Sequence, residues 1–139
     1  MGEQADALRK RLGDFAVEVL RFIRGLPKDM AADSIIRQVA RSAGSVSANY
    51  RSACCARSRP EFIARLGVTV EEANETDHWL WMAAQLNLGN SHELARLTAE
   101  AKELCAILSA SLSTARRNFK REQLNRHPPN RQLTKSSNR

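Results

Sequence analysis

Four successive stretches of this chain place apolar residues at three- and four-residue steps, and no stretch reads as a strand. Such spacing sets the apolar side chains on one face of a helix, because successive residues turn by about 100°. The first stretch, 6–25, carries Leu8, Leu12, Phe15, Val19, Ile23 and Leu26, and Gly25 with Pro27 closes it. After a short connection over 28–32, a second helix is expected from about Asp33 to Arg57. Ile35, Ile36, Val39, Ala43, Val46, Tyr50, Ala53 and Cys54 form its apolar arc. Ser58-Arg59-Pro60-Glu61 is then a stop-and-restart signal. Ser58 and Glu61 have capping-box spacing, and Pro60 falls in the first turn, where its missing N–H does no harm.

The third helix should run to about Leu88, with Phe62, Ile63, Leu66, Val70, Ala73, Leu80, Trp81, Ala84 and Leu88 inward and Gly89 as terminator. Asn90 and Glu93 cap a fourth, whose stripe is Leu94, Leu97, Ala101, Leu104, Cys105, Leu108, Leu112, Ala115 and Phe119, ending near Arg121. Four such helices with short connections predict an all-α, up-down-up-down four-helix bundle over residues 1–121. Residues 122–139 lose the periodicity and read as a polar, basic and disordered tail.

Apolar residues make up 42% of the 139, enough for one core and one domain. No apolar run approaches the roughly 18 residues of a membrane span, and no signal-peptide pattern opens the chain, so no membrane partner and a cytoplasmic address are expected. Cys54, Cys55 and Cys105 have neither a disulfide framework nor metal spacing, and are expected as buried thiols in a reducing compartment.

The net charge of +7 is concentrated at one end of the sequence. Residues 1–115 balance 14 Lys/Arg with 14 Asp/Glu, whereas residues 116–139 hold eight Lys/Arg against Glu122 alone. A neutral bundle with a basic extension points to polyanion contact. Arg116, Arg117, Lys120 and Arg121 extend the fourth helix and are the stronger candidates for phosphate contact, although a tail of this kind can serve solubility alone. Without a recognition motif, binding would be weakly sequence-selective.

On the second helix, Arg37, Arg41 and Arg51 stand among Gly44, Ser45, Ala48, Ser52 and Cys55, opposite the apolar arc. This face can be solvated. Its small residues can admit another helix closely, as a subunit interface, or its arginines can donate bidentately to phosphate. Asp77 falls within the third helix's expected apolar arc, where a lone carboxylate would be costly. Counting back equally from the turn near Arg59 brings it level with Arg41 and Ser42, so a structural pair of Asp77 with Arg41, or with the Ser42 hydroxyl, is expected.

Glu75-x-x-His78 has di-iron ligand spacing, but it occurs once and lies opposite its helix's apolar stripe, so no metal site follows. His92 and His127 have no partner set by spacing. No catalytic arrangement and no Gly-rich loop after a strand is present, and neither enzyme nor cofactor is expected.

Residues 34–81 resemble the bacterial four-helix-bundle family named for open reading frames in 23S rRNA intervening sequences. The resemblance rests on Gln38, Arg41, Ser42, Ser45, Val46 and Asn49, then Arg57, Ser58, Glu61 and Phe62, then Glu72, Glu75, Trp79 and Leu80. In length and helix count it extends over 6–120. Many relatives carry A-E-G-x-G-R after the asparagine, whereas Tyr50 to Arg57 here follows a branch with N-Y-R-x-A-x-x-A-R-S. The resemblance implies a homopentameric ring around a central channel, without enzymatic activity. In architecture and basic character the chain is also similar to the accessory variability protein of diversity-generating retroelements, which implies nucleic acid and a reverse transcriptase as partners. The reading is a non-catalytic, ring-forming bundle that binds RNA or DNA through basic surface. The alternative is a protein-interaction scaffold that binds no nucleic acid.

Overall fold

The computed structural model describes residues 2–129. They form four α-helices: α1 (Glu3–Arg24), α2 (Met30–Cys54), α3 (Arg59–Gln85) and α4 (Ser91–Arg126). Each packs against its sequence neighbours and α1 returns to α4, while the diagonal pairs stay apart. This is the expected up-down-up-down bundle. Its core is a column of leucines and small residues, among them Leu12, Val19, Val39, Val46, Leu66, Leu80, Leu97, Leu104 and Leu108.

The helix starts are set by side-chain caps. Asp29 Oδ1 accepts from the Ala32 N–H at 2.9 Å, so α2 begins three residues earlier than the apolar pattern alone suggested. Ser58 Oγ accepts from the Glu61 N–H at 3.2 Å, and the Glu61 carboxylate returns to the Arg57 N–H at 2.9 Å. The reciprocity of a capping box is kept, but the return bond lands one residue before the cap. At α4 the asparagine half forms, Asn90 Oδ1 to the Glu93 N–H at 2.9 Å.

Helix ends differ from expectation in three places. The second helix stops at Cys54, three residues short of Arg57. The third helix stops at Gln85, and Leu86 to Asn90 make the turn, with Asn87 at φ 52° and Gly89 at φ 70°. A Cβ on Gly89 would sit 2.6 Å from Leu26 Cδ2 and 2.9 Å from Phe22 Cζ, so this turn closes directly on the end of α1. The fourth helix continues past Arg121 to Arg126. Residues 122–126 are therefore helical and continuous with the bundle, not part of a tail. The disorder expected further on concerns residues 130–139, which lie outside the described residues.

The buried stripe of α3 is Leu66, Thr69, Ala73, Thr76, Leu80 and Ala83. It lies roughly 60° around the helix from the arc suggested by the large apolar residues. Trp81 consequently points outward, 52% exposed, and Ala84 is exposed as well. Thr69 and Thr76 take the inward positions because each hydroxyl lies 2.8 Å from a carbonyl one turn back, of Arg65 and Glu72 respectively. Thr76 Oγ1 is also 2.9 Å from Ser42 Oγ on α2, and both residues are fully buried. One hydroxyl donates to the other, and the chain of hydrogen bonds ends on the Glu72 or the Val39 carbonyl.

The α1–α4 seam is the sparsest, and ion pairs span it. Arg11 holds Glu100 bidentately, at 2.6 and 2.8 Å, and reaches Glu103 at 3.1 Å, while Arg96 holds Glu18 at 2.7 Å. An open groove of about 690 Å³ follows this seam.

Two outcomes are expected from this packing. Thr76→Val leaves the Ser42 hydroxyl only the Val39 carbonyl, at 3.4 Å, and should cost about 0.5–1.5 kcal/mol in denaturant unfolding. Adding Ser42→Ala should restore part of that loss; additive losses would show that the two hydroxyls are not coupled. The second concerns acid. The hydrogen bond from Arg11 holds Glu100 below its ordinary value of 4.5. Its contribution is complete above that value and is lost as pH falls through the depressed one. Between about pH 5 and pH 3, Glu100→Gln should flatten the pH dependence of stability by up to about 1 kcal/mol, the upper range for exposed pairs. Parallel curves for the two proteins would remove the pair from the stability account.

Candidate nucleic-acid interface

The antiparallel topology brings the start of α1, the end of α2, the start of α3 and the end of α4 to one end of the bundle. The α2–α3 turn and its flanks supply Arg51, Arg57, Arg59 and Arg65, and α4 supplies Arg116, Arg117, Lys120, Arg121 and Arg126. Against these nine Lys/Arg stand Glu61 and Glu122, while the start of α1 adds Arg9 and Lys10 against Glu3 and Asp6 and leaves the excess unchanged. Over residues 11–50 and 66–115 the balance reverses, with eight Lys/Arg against eleven Asp/Glu. The folded body is thus strongly polarised along its axis.

Two of the nine are tied down. Arg59 pairs with Glu122 at 3.1 Å, which fastens α4 to the α2–α3 turn beyond Arg121. Arg65 pairs with Glu61 at 3.1 Å, and the hydrogen bond from the Arg57 N–H, followed by that from Arg65, holds the Glu61 carboxyl below its ordinary range. Arg51, Arg57, Arg116, Arg117, Lys120, Arg121 and Arg126 are exposed and make no ion pair among the described residues. Arg116 leans over α3, its guanidinium 4.0 Å from where a Cβ on Gly67 would stand. Between the turn and α4 lies a depression of about 290 Å³, lined by Ala56, Arg57, Ser58, Arg59, Phe62, Ile63 and Ala115.

The candidate residues on α2 are placed differently. Arg51 belongs to the basic end. Arg37 is exposed, its Nε 3.4 Å from the Asp33 carbonyl, and lies about 21 Å back along the helix from Arg51. Arg41 is engaged by α3. It contacts both Glu72 oxygens, at 3.1 and 3.2 Å, and pairs with Glu75, whose carboxylate also accepts from the Trp79 indole at 3.3 Å. The hydrogen bonds from Arg41 and Trp79 hold the Glu75 carboxyl below its ordinary range. The structure does not bring Arg37 and Arg41 together with the α4 cations.

The expected Asp77–Arg41 pair is not formed, nor is the alternative with Ser42. Asp77 sits on the flank of α3 toward α4, and Lys102 Nζ approaches its Oδ2 at 3.3 Å. The other oxygen, Oδ1, is buried without a hydrogen bond. The rotation of α3 accounts for this, since Thr76 takes the position facing Ser42.

Gly44, Ser45, Ala48 and Ser52 lie on the outward side of α2. Among the described residues, nothing beyond the neighbouring residues and the helix's own backbone stands within 4 Å of a Cβ built on Gly44, and Ala48 is exposed, so the strip is open there to another surface. Of the cysteines, Cys55 is exposed, contrary to expectation, while Cys54 and Cys105 are half-buried. Burial pushes the Cys105 thiol up to about 11 and raises that of Cys54. Among the described residues no group of His, Cys, Asp and Glu could hold a metal ion, and no helix is long and apolar enough to cross a membrane.

The sequence pattern pointed to the α4 cations but missed Arg57, Arg59 and Arg65, which complete the basic end. The signal was available in the topology. In an up-down-up-down bundle, the second connection must lie beside the end of the fourth helix.

Fold and site together define an all-helical bundle with its cations gathered at one end. Residues 7–110 match the family of 23S rRNA-intervening sequence proteins, and the chain belongs to that family. Among solved structures it is similar to a protein of unknown function from the S23 ribosomal protein family of Bacteroides thetaiotaomicron. The two share 25% identity and superpose with a TM-score of 0.71, over 78% of this chain and 97% of the other. No curated protein sequence matches it significantly.

Proposed function

We propose that this chain is a non-catalytic, ring-forming bundle that binds nucleic acid through its basic end, with weak sequence selectivity. The gathering of nine Lys/Arg from α2, α3, the turn between them and α4 at one pole carries the reading. A polyanion approaching that pole meets a row of exposed guanidinium and ammonium groups, and each phosphate bound releases condensed counterions. Arg116 and Lys120, and Arg117 and Arg121, are i,i+4 pairs on consecutive turns of α4, a spacing suited to following a phosphate backbone. Arg41 is assigned to holding α2 against α3. The role is that of a cytoplasmic accessory to a reverse transcriptase or to an rRNA-linked process, in a ring of five subunits as the family resemblance implies. The open strip of Gly44, Ser45, Ala48 and Ser52 supports close helix contact between subunits.

A protein-interaction scaffold is the second reading. The outer face of α3 favours it, since Trp81 is 52% exposed and stacks on His78 at 6.2 Å, with Val68 41% exposed on the same helix.

The test is the salt dependence of binding to mixed-sequence nucleic acid, for the full chain and for a variant with Arg116, Arg117, Lys120 and Arg121 changed to Gln. Substitution is preferable to truncation, because Glu122 is held by Arg59. Affinity should fall steeply between about 50 and about 300 mM salt, and the log–log slope should shrink by about 0.7–0.9 for each cation–phosphate pair removed. Affinity indifferent to salt, or unaltered in the variant, favours the scaffold. Light scattering should give a mass of five chains; a monomer would overturn the ring.

A further inference from the structure

The depression at the α2–α3 turn differs in character from the charged surface around it. Phe62 and Ile63 are only half-buried there, at the edge of the core, and with Ala56 and Ala115 they make an apolar floor. Arg57 and Arg59 stand on the rim. The wall is held in place, because Arg59 is fixed by Glu122 at 3.1 Å and the Arg57 N–H donates to Glu61 at 2.9 Å. At about 290 Å³ the space is at the small end for a ligand pocket, room for a single ring system with its sugar. It opens beside the exposed cations of α4.

We infer that this depression takes one unpaired nucleobase, which stacks on or against Phe62 while Arg57 and the α4 cations hold the flanking phosphates. The inference rests on the nucleic-acid reading given above and adds to it the class of ligand: a single strand, or a duplex end or bulge with an unpaired base. Charge complementarity selects this occupant. An apolar floor with Arg57 and Arg59 in its lining and the α4 cations beside it suits a group with a π-face joined to phosphates, and every base has such a face, so the preference is for unpaired over paired bases and not for one sequence. A blunt duplex offers phosphates to the same cations but keeps its bases stacked within itself.

Three ligands separate the possibilities for the full-length protein by fluorescence anisotropy: a mixed-sequence single strand of about 12 nucleotides, the same strand with abasic sites throughout, and the blunt duplex. The base-bearing strand should bind about tenfold or more tighter than the abasic strand, which presents the same phosphates. Phe62→Leu, which keeps the apolar volume and removes the ring, should weaken the base-bearing strand about fivefold or more and leave the abasic strand unchanged. The unchanged abasic affinity also reports that the variant is folded; if Phe62→Leu does not fold, the comparison of the two strands on the unaltered protein decides. Equal affinity for the base-bearing and abasic strands, or a preference for the blunt duplex, overturns the base site and leaves the basic-end reading standing. Binding to none of the three overturns both.

Discussion

The rotation of α3 about its own axis decides where most other side chains in this bundle go. It is set by two threonines that satisfy their hydroxyls on carbonyls one turn back and can therefore be buried, and by the contact of Thr76 with Ser42 across the α2–α3 seam. A buried polar pair of this kind tolerates little displacement, because parting the two hydroxyls leaves each with a single carbonyl partner in a site without water to replace the other. With Thr76 facing α2, Glu72 and Glu75 come within reach of Arg41, Asp77 turns toward Lys102, and Trp81 is left in solvent. The same rotation keeps Phe62 and Ile63 at the rim of the core, beside α4.

Topology then converts a one-dimensional charge distribution into a polar molecule. Along the sequence, basic residues accumulate after residue 115, while those around the second turn look unremarkable in a balanced stretch. Folding places the two groups together and leaves acidic residues in excess elsewhere. The pairing of Arg59 with Glu122 is small in energy, as exposed ion pairs are, but it marks where the end of α4 lies relative to the turn. The cations of α4 are thus presented from a helix anchored to the bundle rather than from a loose tail.

The fold was legible because four amphipathic stretches with caps between them admit few other arrangements. Caps at Ser58 and Asn90 follow from residue type and spacing, and both form. Asp29 is easily passed over because the apolar pattern begins only at Ile35, although an aspartate after Pro27 is itself a start signal. The α3 face departs from expectation for a physical reason. Large apolar residues outweigh threonine in choosing the arc, while burial goes to the residues that can satisfy their own polar groups and pack closely. The pairing of Asp77 fails with it, since a count from the turn gives the level along a helix but not the side. The α4 cations were legible as composition; their companions at the α2–α3 turn required the topology.

The central claim is that the basic end, and not the Arg37–Arg41 stretch of α2, meets nucleic acid. The arginine Nε–Hε signals in NMR spectra, followed during titration with a mixed-sequence single strand, test it most directly. The account predicts that Arg51, Arg57, Arg116, Arg117 and Arg121 shift together while Arg37 and Arg41 stay in place. Movement of Arg37 and Arg41 with the basic end unperturbed would contradict it.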